Sequence, residues 1–296
     1  MEKVVVSIGG SILVPGENDA EFIRKLAVML KEASKEVQIA VVCGGGKTAR
    51  YYAGIAKDLG GDTYDQDILG IAATRMNAQL LALALGDMPD TVTGDVEETA
   101  KASAPGRIVV MGGTVPGHTT DAVSSMLAAS MKADRIVNGT SVDAVYTDDP
   151  RRNPDAKKIT NMTIDELGEI VYKEHGASKS SVFDPLGVKL AKDNRMDILI
   201  IDGRNLDELR NAILGKEIKG TFVNSHRSDR DRWNLSAQNQ RIQSERTSAS
   251  PLVSSSTSCA GTLASCRWPR RPISTSWLYP HHPYSQADSW EAYARN

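Results

Sequence analysis

The sequence predicts an α/β fold, a mostly parallel central sheet covered by helices on both faces in a three-layer α/β/α sandwich. Two observations carry that expectation. Short, nearly continuous runs of β-branched and apolar residues alternate with longer stretches whose apolar residues recur at helical spacing, as in successive βα units. Several of those runs also end in glycine-rich loops, and open α/β sheets bind ligands beyond the carboxyl ends of their strands.

KVVVSI (3–8) has the continuous apolar character of a buried parallel strand and runs into Gly9-Gly10-Ser11. In 19–33, Phe22, Ile23, Leu26, Met29 and Leu30 fall on one helical face. VQIAVVC (37–43) is a second buried strand, followed by Gly44-Gly45-Gly46 and a helix from about Lys47. Residues 67–85 read as one long helix, and RIVVM (107–111) as a third strand. The loop GGTVPGHTT (112–120) follows it, then a helix over 120–131 and a strand over 134–138. Thr163-x-x-Glu166 and Asn205-x-x-Glu208 have the spacing of capping boxes that open helices. DILIID (197–202) and GTFV (220–223) supply further strands.

Glycines let backbone N–H groups approach a ligand closely, and threonines and a helix start add donors. Three such loops at equivalent strand ends point to phosphate. The familiar phosphate motifs are excluded in turn. GGGKT (44–48) ends like a P-loop, but Val41 stands where that pattern needs glycine. No G-x-G-x-x-G follows a strand, protein-kinase signatures are missing, and no His/Cys cluster has zinc spacing. A net charge of −2 gives the whole molecule no pull toward nucleic acid or an anionic membrane. No apolar stretch reads as long enough to span a bilayer, and three cysteines form no disulfide framework, so a cytoplasmic protein is expected.

Residue usage changes abruptly near 225. All four tryptophans lie beyond it, lysine vanishes, and neither TSASPLVSSSTSC nor RWPRRPISTSWLYPHHPY has usable periodicity. The chain therefore divides into a folded domain, 1–225, and a tail, 226–296, expected to be disordered and outside the core.

IGGSILVP (8–15), VVCGGGKTAR (41–50), MGGTVPGHTTDAV (111–123) and VDAVYTDDPRRNPDAKKI (142–159), in that order, resemble the amino-acid kinase family. Within it they are similar to the archaeal-type uridylate (UMP) kinases, and DILGIAATRMNA (67–78) and SSVFDPLGVKLA (180–191) extend the likeness over nearly all of 1–225. The resemblance implies the amino-acid kinase fold and transfer of the ATP γ-phosphate to UMP, with ATP arriving with Mg²⁺ and no protein ligand to the metal. It also implies a homohexamer built from dimers, and neither nucleic acid nor membrane as partner. Carried over position by position, Gly9, Gly10, Ser11, Gly46 and Arg50 would face the ATP phosphates, with Thr140, Ser141, Tyr146 and Asp149 around its adenine and ribose. Gly45, Asp67, Thr114, Val115, Pro116, Gly117, His118, Thr119 and Thr120 would surround UMP, Asp67 accepting from its ribose hydroxyls. Asp67 also reads simply as a helix-start acid favoured by the dipole.

The chain departs from the family pattern twice. Many relatives place a lysine before the first glycine pair, where this chain has Val6-Ser7-Ile8, as archaeal-type members do. Lys47 and Lys189 are then the candidate charge stabilisers, each reading equally well as part of a solvated helix face. Ala144 stands where relatives usually have glycine, a strain of ~1 kcal/mol if the position needs φ > 0. Two alternatives stay open: a small-molecule kinase of isopentenyl phosphate or N-acetylglutamate type, and a non-catalytic nucleotide-binding protein. GGGKTAR lacks the histidine that isopentenyl phosphate kinases carry after the second glycine loop, and the intact loops weigh against a non-catalytic role.

Overall fold

A computed structural model describes residues 1–87, 92–150, 153–177 (173–177 in backbone only) and 182–225. Backbone contacts divide the chain into two units, Met1–Ser248 and Ala249–Asn296, and every described residue lies in the first. The tail expected over 226–296 lies outside the described residues.

In chain order the elements are β1 (Lys3–Ile8), α1 (Gly10–Leu13), α2 (Asp19–Ala33), β2 (Gln38–Cys43), α3 (Gly46–Asp58) and α4 (Thr63–Leu85). Then follow α5 (Val96–Ala102), β3 (Val109–Met111), α6 (Thr120–Met131), β4 (Arg135–Thr140), β5 (Val145–Tyr146), β6 (Lys158–Ile159) and β7 (Asn161–Thr163). The domain closes with α7 (Ile164–Ala177), α8 (Pro185–Asp193), β8 (Asp197–Asp202), α9 (Leu206–Ile213) and β9 (Thr221–Asn224).

Seven strands form one sheet in the order β3-β2-β1-β4-β8-β9-β7. Every pairing is parallel except β8 with β9. The strands at its centre are buried along almost their whole length, which is why they read as continuous apolar runs. A short antiparallel pair, β5 with β6, stands apart from the sheet. One core runs through the sheet and the inner faces of its helices, with Ile8, Leu26, Ile39, Leu127, Ile136 and Leu199 wholly buried.

Several boundaries move. The long helix starts at Thr63 and not at 67, because Asp62 accepts from the Asp65 amide while the Asp65 carboxylate accepts from the Asp62 amide, a box of two aspartates. β3 begins at Val109, since Arg107 belongs to a bridge with Ala104. The strand expected over 134–138 runs from Arg135 to Thr140. The Thr163–Glu166 box forms in both directions. Asn205 caps α9 by accepting from Glu208 N, but the buried Glu208 carboxylate turns to the amides of Lys219 and Gly220 and so anchors the entry to β9.

Two expectations are corrected. α4 is in fact long and apolar enough, by length and composition, to cross a membrane. Its place is against α3, β2 and β3, where Ala73, Thr74, Asn77, Ala78 and Leu81 are buried. The opposite stripe leaves Ile68, Met76, Leu80 and Leu83 exposed, and this double-sided apolarity accounts for its composition. Ala144 is buried and is not among the residues with positive φ, so alanine there carries no left-handed strain.

Candidate active site

The sheet order puts the carboxyl ends of β3, β2 and β1 side by side, so the three glycine-rich loops emerge together. The first two interlock through their backbones. A Cβ on Gly10 would lie 2.3 Å from Gly46 N and 2.4 Å from Gly44 O, and one on Gly44 would lie 2.7 Å from Gly10 N. Gly46 adds a φ of +60° at the first residue of α3. Close approach of loop to loop therefore requires these glycines, before any ligand does. The pair is tied to the sheet by Gly9 N donating to Gly139 O (2.9 Å) and Gly44 N to Ile8 O (2.8 Å).

Side chains then bridge the loops. Arg50, on α3, donates from Nη2 to Ser11 Oγ at 3.0 Å, which brings together two residues expected at the ATP phosphates. Lys47 Nζ donates to Pro15 O at 2.9 Å, spanning from the start of α3 to the segment just after α1. Lys189 is different. It is exposed and pairs with Asp193 at 2.6 Å one turn along α8, the ordinary arrangement of a solvated helix face, and this partner holds its ammonium in the charged form.

The third loop closes over α4. Asp67 Oδ2 accepts from Gly117 N at 2.8 Å, so the carboxylate expected at the UMP ribose also anchors the loop expected around UMP. Within that loop Thr114 Oγ1 lies 3.2 Å from His118 Nδ1, and Val115 is exposed. Thr119 caps α6 by accepting from Ala122 N and donates to Asp184 Oδ2 at 2.7 Å. Asp184 in turn caps α8 by accepting from Leu186 N and Gly187 N, with Pro185 at the first helical position.

The residues expected around adenine and ribose lie along the segment after β4. Thr140 O accepts from Gly203 N, and Ser141 O from Arg204, which is also paired with Asp202. Tyr146 donates to Asp143 at 3.0 Å, and Asp143 pairs with Lys158 at 2.7 Å, which holds the Asp143 carboxyl below the usual carboxylate range. The Asp149 amide donates to Asp148, and its carbonyl accepts from Asn153 N.

One acidic residue at this end was not singled out from the sequence. Asp121, in the first turn of α6, accepts from the buried Ser7 hydroxyl at 3.1 Å. Burial pushes its carboxyl up to about 6, the Ser7 hydrogen bond pulls the other way, and the Asp184 charge raises it further. In the sequence it looks like any acid at a helix start; its burial and its neighbours Ser7 and Asp184 come from parts of the chain far away. Cys43, at the end of β2, is wholly buried and its thiol is pushed up to about 12, so it supplies no nucleophile at neutral pH. Among the described residues no group of three His, Cys, Asp or Glu side chains could hold a metal ion.

A parallel sheet whose adjacent strands end in interlocked glycine loops, followed by helix N-termini, is an α/β architecture suited to binding an anion such as phosphate. The amino acid kinase family profile matches residues 2–202, and this chain belongs to that family. It is 46% identical over 224 residues to a uridylate kinase of Pyrococcus abyssi, covering 75% of this chain and 99% of that protein. A uridylate kinase of Methanobrevibacter smithii is 41% identical over 223 residues, 75% of this chain and 98% of that protein. The crystal structure of the uridylate kinase from Archaeoglobus fulgidus superposes with a TM-score of 0.67 at 38% identity, over 75% of this chain and all of that one.

Proposed function

We infer that this chain is a nucleoside monophosphate kinase that moves the γ-phosphoryl group of ATP onto a phosphate oxygen of UMP. The bond from γ-phosphorus to the β,γ-bridging oxygen breaks, a bond to the UMP phosphate oxygen forms, and UDP and ADP leave. The acceptor is already an anionic oxygen, so the chemistry asks for alignment and charge neutralisation and does not require a side-chain base.

The observation that carries the reading is the meeting of the three loops at the ends of β1, β2 and β3, in a chain 46% and 41% identical to two uridylate kinases. ATP is the co-substrate and would arrive with Mg²⁺ bound to its phosphates. Gly9, Gly10, Ser11, Gly46 and Arg50 serve the ATP phosphates, Thr140, Ser141, Tyr146 and Asp149 the adenosine, and Gly45, Asp67 and Thr114–Thr120 UMP. The Arg50–Ser11 and Asp67–Gly117 hydrogen bonds support this division. Lys47 is favoured over Lys189 as the charge stabiliser, because Lys189 is taken up by Asp193.

The cytoplasm, where both nucleotides occur, is the proposed location, and a homohexamer the proposed assembly. Supporting assembly, α3 and α4 pack together and expose apolar side chains along both, among them Tyr51, Tyr52, Ile55, Met76 and Leu83. A coupled assay with MgATP against UMP, CMP, 2′-deoxy-UMP and isopentenyl phosphate tests the function. Preferred turnover of UMP is expected. Equal turnover of isopentenyl phosphate, or none of UMP by folded protein, overturns the reading.

A further inference from the structure

α4 passes behind the second and third glycine loops, and one turn of it directs polar side chains onto their backbones. Asn77, itself buried, donates from Nδ2 to Gly44 O at 2.7 Å and to Gly45 O at 3.4 Å. Arg75 donates from Nε to Gly113 O at 3.1 Å and from Nη2 to Thr114 O at 3.0 Å. Thr74 Oγ1 accepts from Gly113 N at 2.6 Å.

A trans peptide unit points its carbonyl and its N–H in opposite directions. The described residues contain no cis peptide. Drawing the carbonyls of Gly44, Gly45, Gly113 and Thr114 toward α4 therefore turns the next amides, those of Gly45, Gly46, Thr114 and Val115, away from it. Among the described residues these four amides have no acceptor, although neighbouring loop amides such as Gly44 N and Gly113 N do. Backbone donors without acceptors, fixed in advance, are the groups that stabilise a phosphoryl oxygen without reorganisation.

We propose that Asn77 and Arg75 are positioning residues for phosphoryl transfer, setting from behind the loops the direction of four backbone N–H groups that receive phosphate oxygens. The proposal rests on the UMP kinase reading and assigns the two side chains no contact with substrate. Asn77 serves the second loop, which lies between the two nucleotides. Arg75 serves the third, on the UMP side. Arg75 holds two carbonyls with two of its nitrogens, so a lysine in its place can hold only one at a time.

The test uses the full chain, with Arg75→Met, Arg75→Lys and Asn77→Ser compared by kcat, KM for UMP and ATP, and inhibition by uridine, which lacks the phosphate. Arg75→Met is expected to raise the UMP KM at least tenfold and lower kcat, while the uridine inhibition constant stays within twofold. Arg75→Lys should recover part of the loss, and Asn77→Ser should lower kcat with both substrates. Melting curves accompany each variant, and if Asn77→Ser does not fold, the Arg75 pair decides alone. An unchanged UMP KM and kcat in Arg75→Met, or equal weakening toward UMP and uridine, overturns the proposal. Wild-type protein that fails to phosphorylate UMP overturns the functional reading instead, so the two failures are distinct.

Discussion

Asp121 gives the domain a built-in pH dependence whose sign and size follow from its surroundings. Its carboxyl ionises near 3.8 when exposed and at about 6 in the folded protein, because burial disfavours the charge. The folded state therefore binds this proton more tightly than the unfolded state does. The group's contribution to stability falls as pH rises from about 4 through 6, and above 6 the cost is complete. Some 2 pH units at about 1.4 kcal/mol each make roughly 3 kcal/mol. That figure is a ceiling, since Asp121 as a residue keeps intermediate exposure, and roughly 1–3 kcal/mol is the working range. Asp121→Asn keeps an oxygen for the Ser7 hydroxyl and replaces a charge facing Asp184 with a neutral group. The variant should therefore be more stable than the parent by that amount at pH 7.5 and nearly equal to it at pH 4.5. Urea unfolding of both proteins across this range measures the difference directly. A variant less stable at pH 7.5, or a difference that ignores pH, would refute the assignment of a strained, ionised carboxylate to this position.

On the proposed assignment, Asp67→Ala removes charge-assisted hydrogen bonds to the ribose, each worth roughly 1.5–3 kcal/mol, and it frees Gly117 N. The UMP KM should rise well over tenfold with little change for ATP, and the preference for UMP over 2′-deoxy-UMP should shrink; an unchanged UMP KM would rule the contact out. Lys47→Met should lower kcat and kcat/KM together, the mark of an interaction made only in the transition state, whereas Lys189→Met should leave both intact. Full kcat in Lys47→Met would leave Arg50, the metal and backbone donors to carry the charge. A chain ending at Ser225 keeps that residue's two hydrogen bonds to Asp197 and should retain activity, assembly and Tm while aggregating less. Limited proteolysis of the full chain should cut first after Arg227, Arg230 or Arg232, and loss of activity on truncation would move the domain boundary.

Local signals made much of this fold legible. β1, β2 and β8 carry their burial in their own composition, α2 falls on the residues its periodicity marks, and α6 keeps the bounds expected of it. What stayed hidden depends on residues far apart in sequence. The glycine loops read as places where a ligand approaches backbone, yet Gly10, Gly44 and Gly46 are first required because backbone approaches backbone. No local pattern separates those two reasons. Asp121 owes its shifted ionisation to burial and to the Asp184 charge, neither of which its own stretch of sequence records, while Ser7, 114 positions earlier, opposes the shift.

A usable signal for one of the positioning residues was present in AATRMNA, where Asn77, with Thr74, sits on the face of α4 that buries Ala73, Ala78 and Leu81. Buried polar groups are hydrogen-bonded: Thr74 gives its proton to Ile71 O within the helix but accepts from Gly113 N, and Asn77 donates to Gly44 O, so both reach outside it. Beside glycine loops, which have no side chains of their own to hold them, the available partners are loop carbonyls and amides. A polar residue inside the apolar face of a helix that follows a glycine-rich strand end is thus evidence of loop control. Loops built almost wholly from glycine and small residues owe their fixed direction to such neighbours, and the precision of the phosphate site is written on α4.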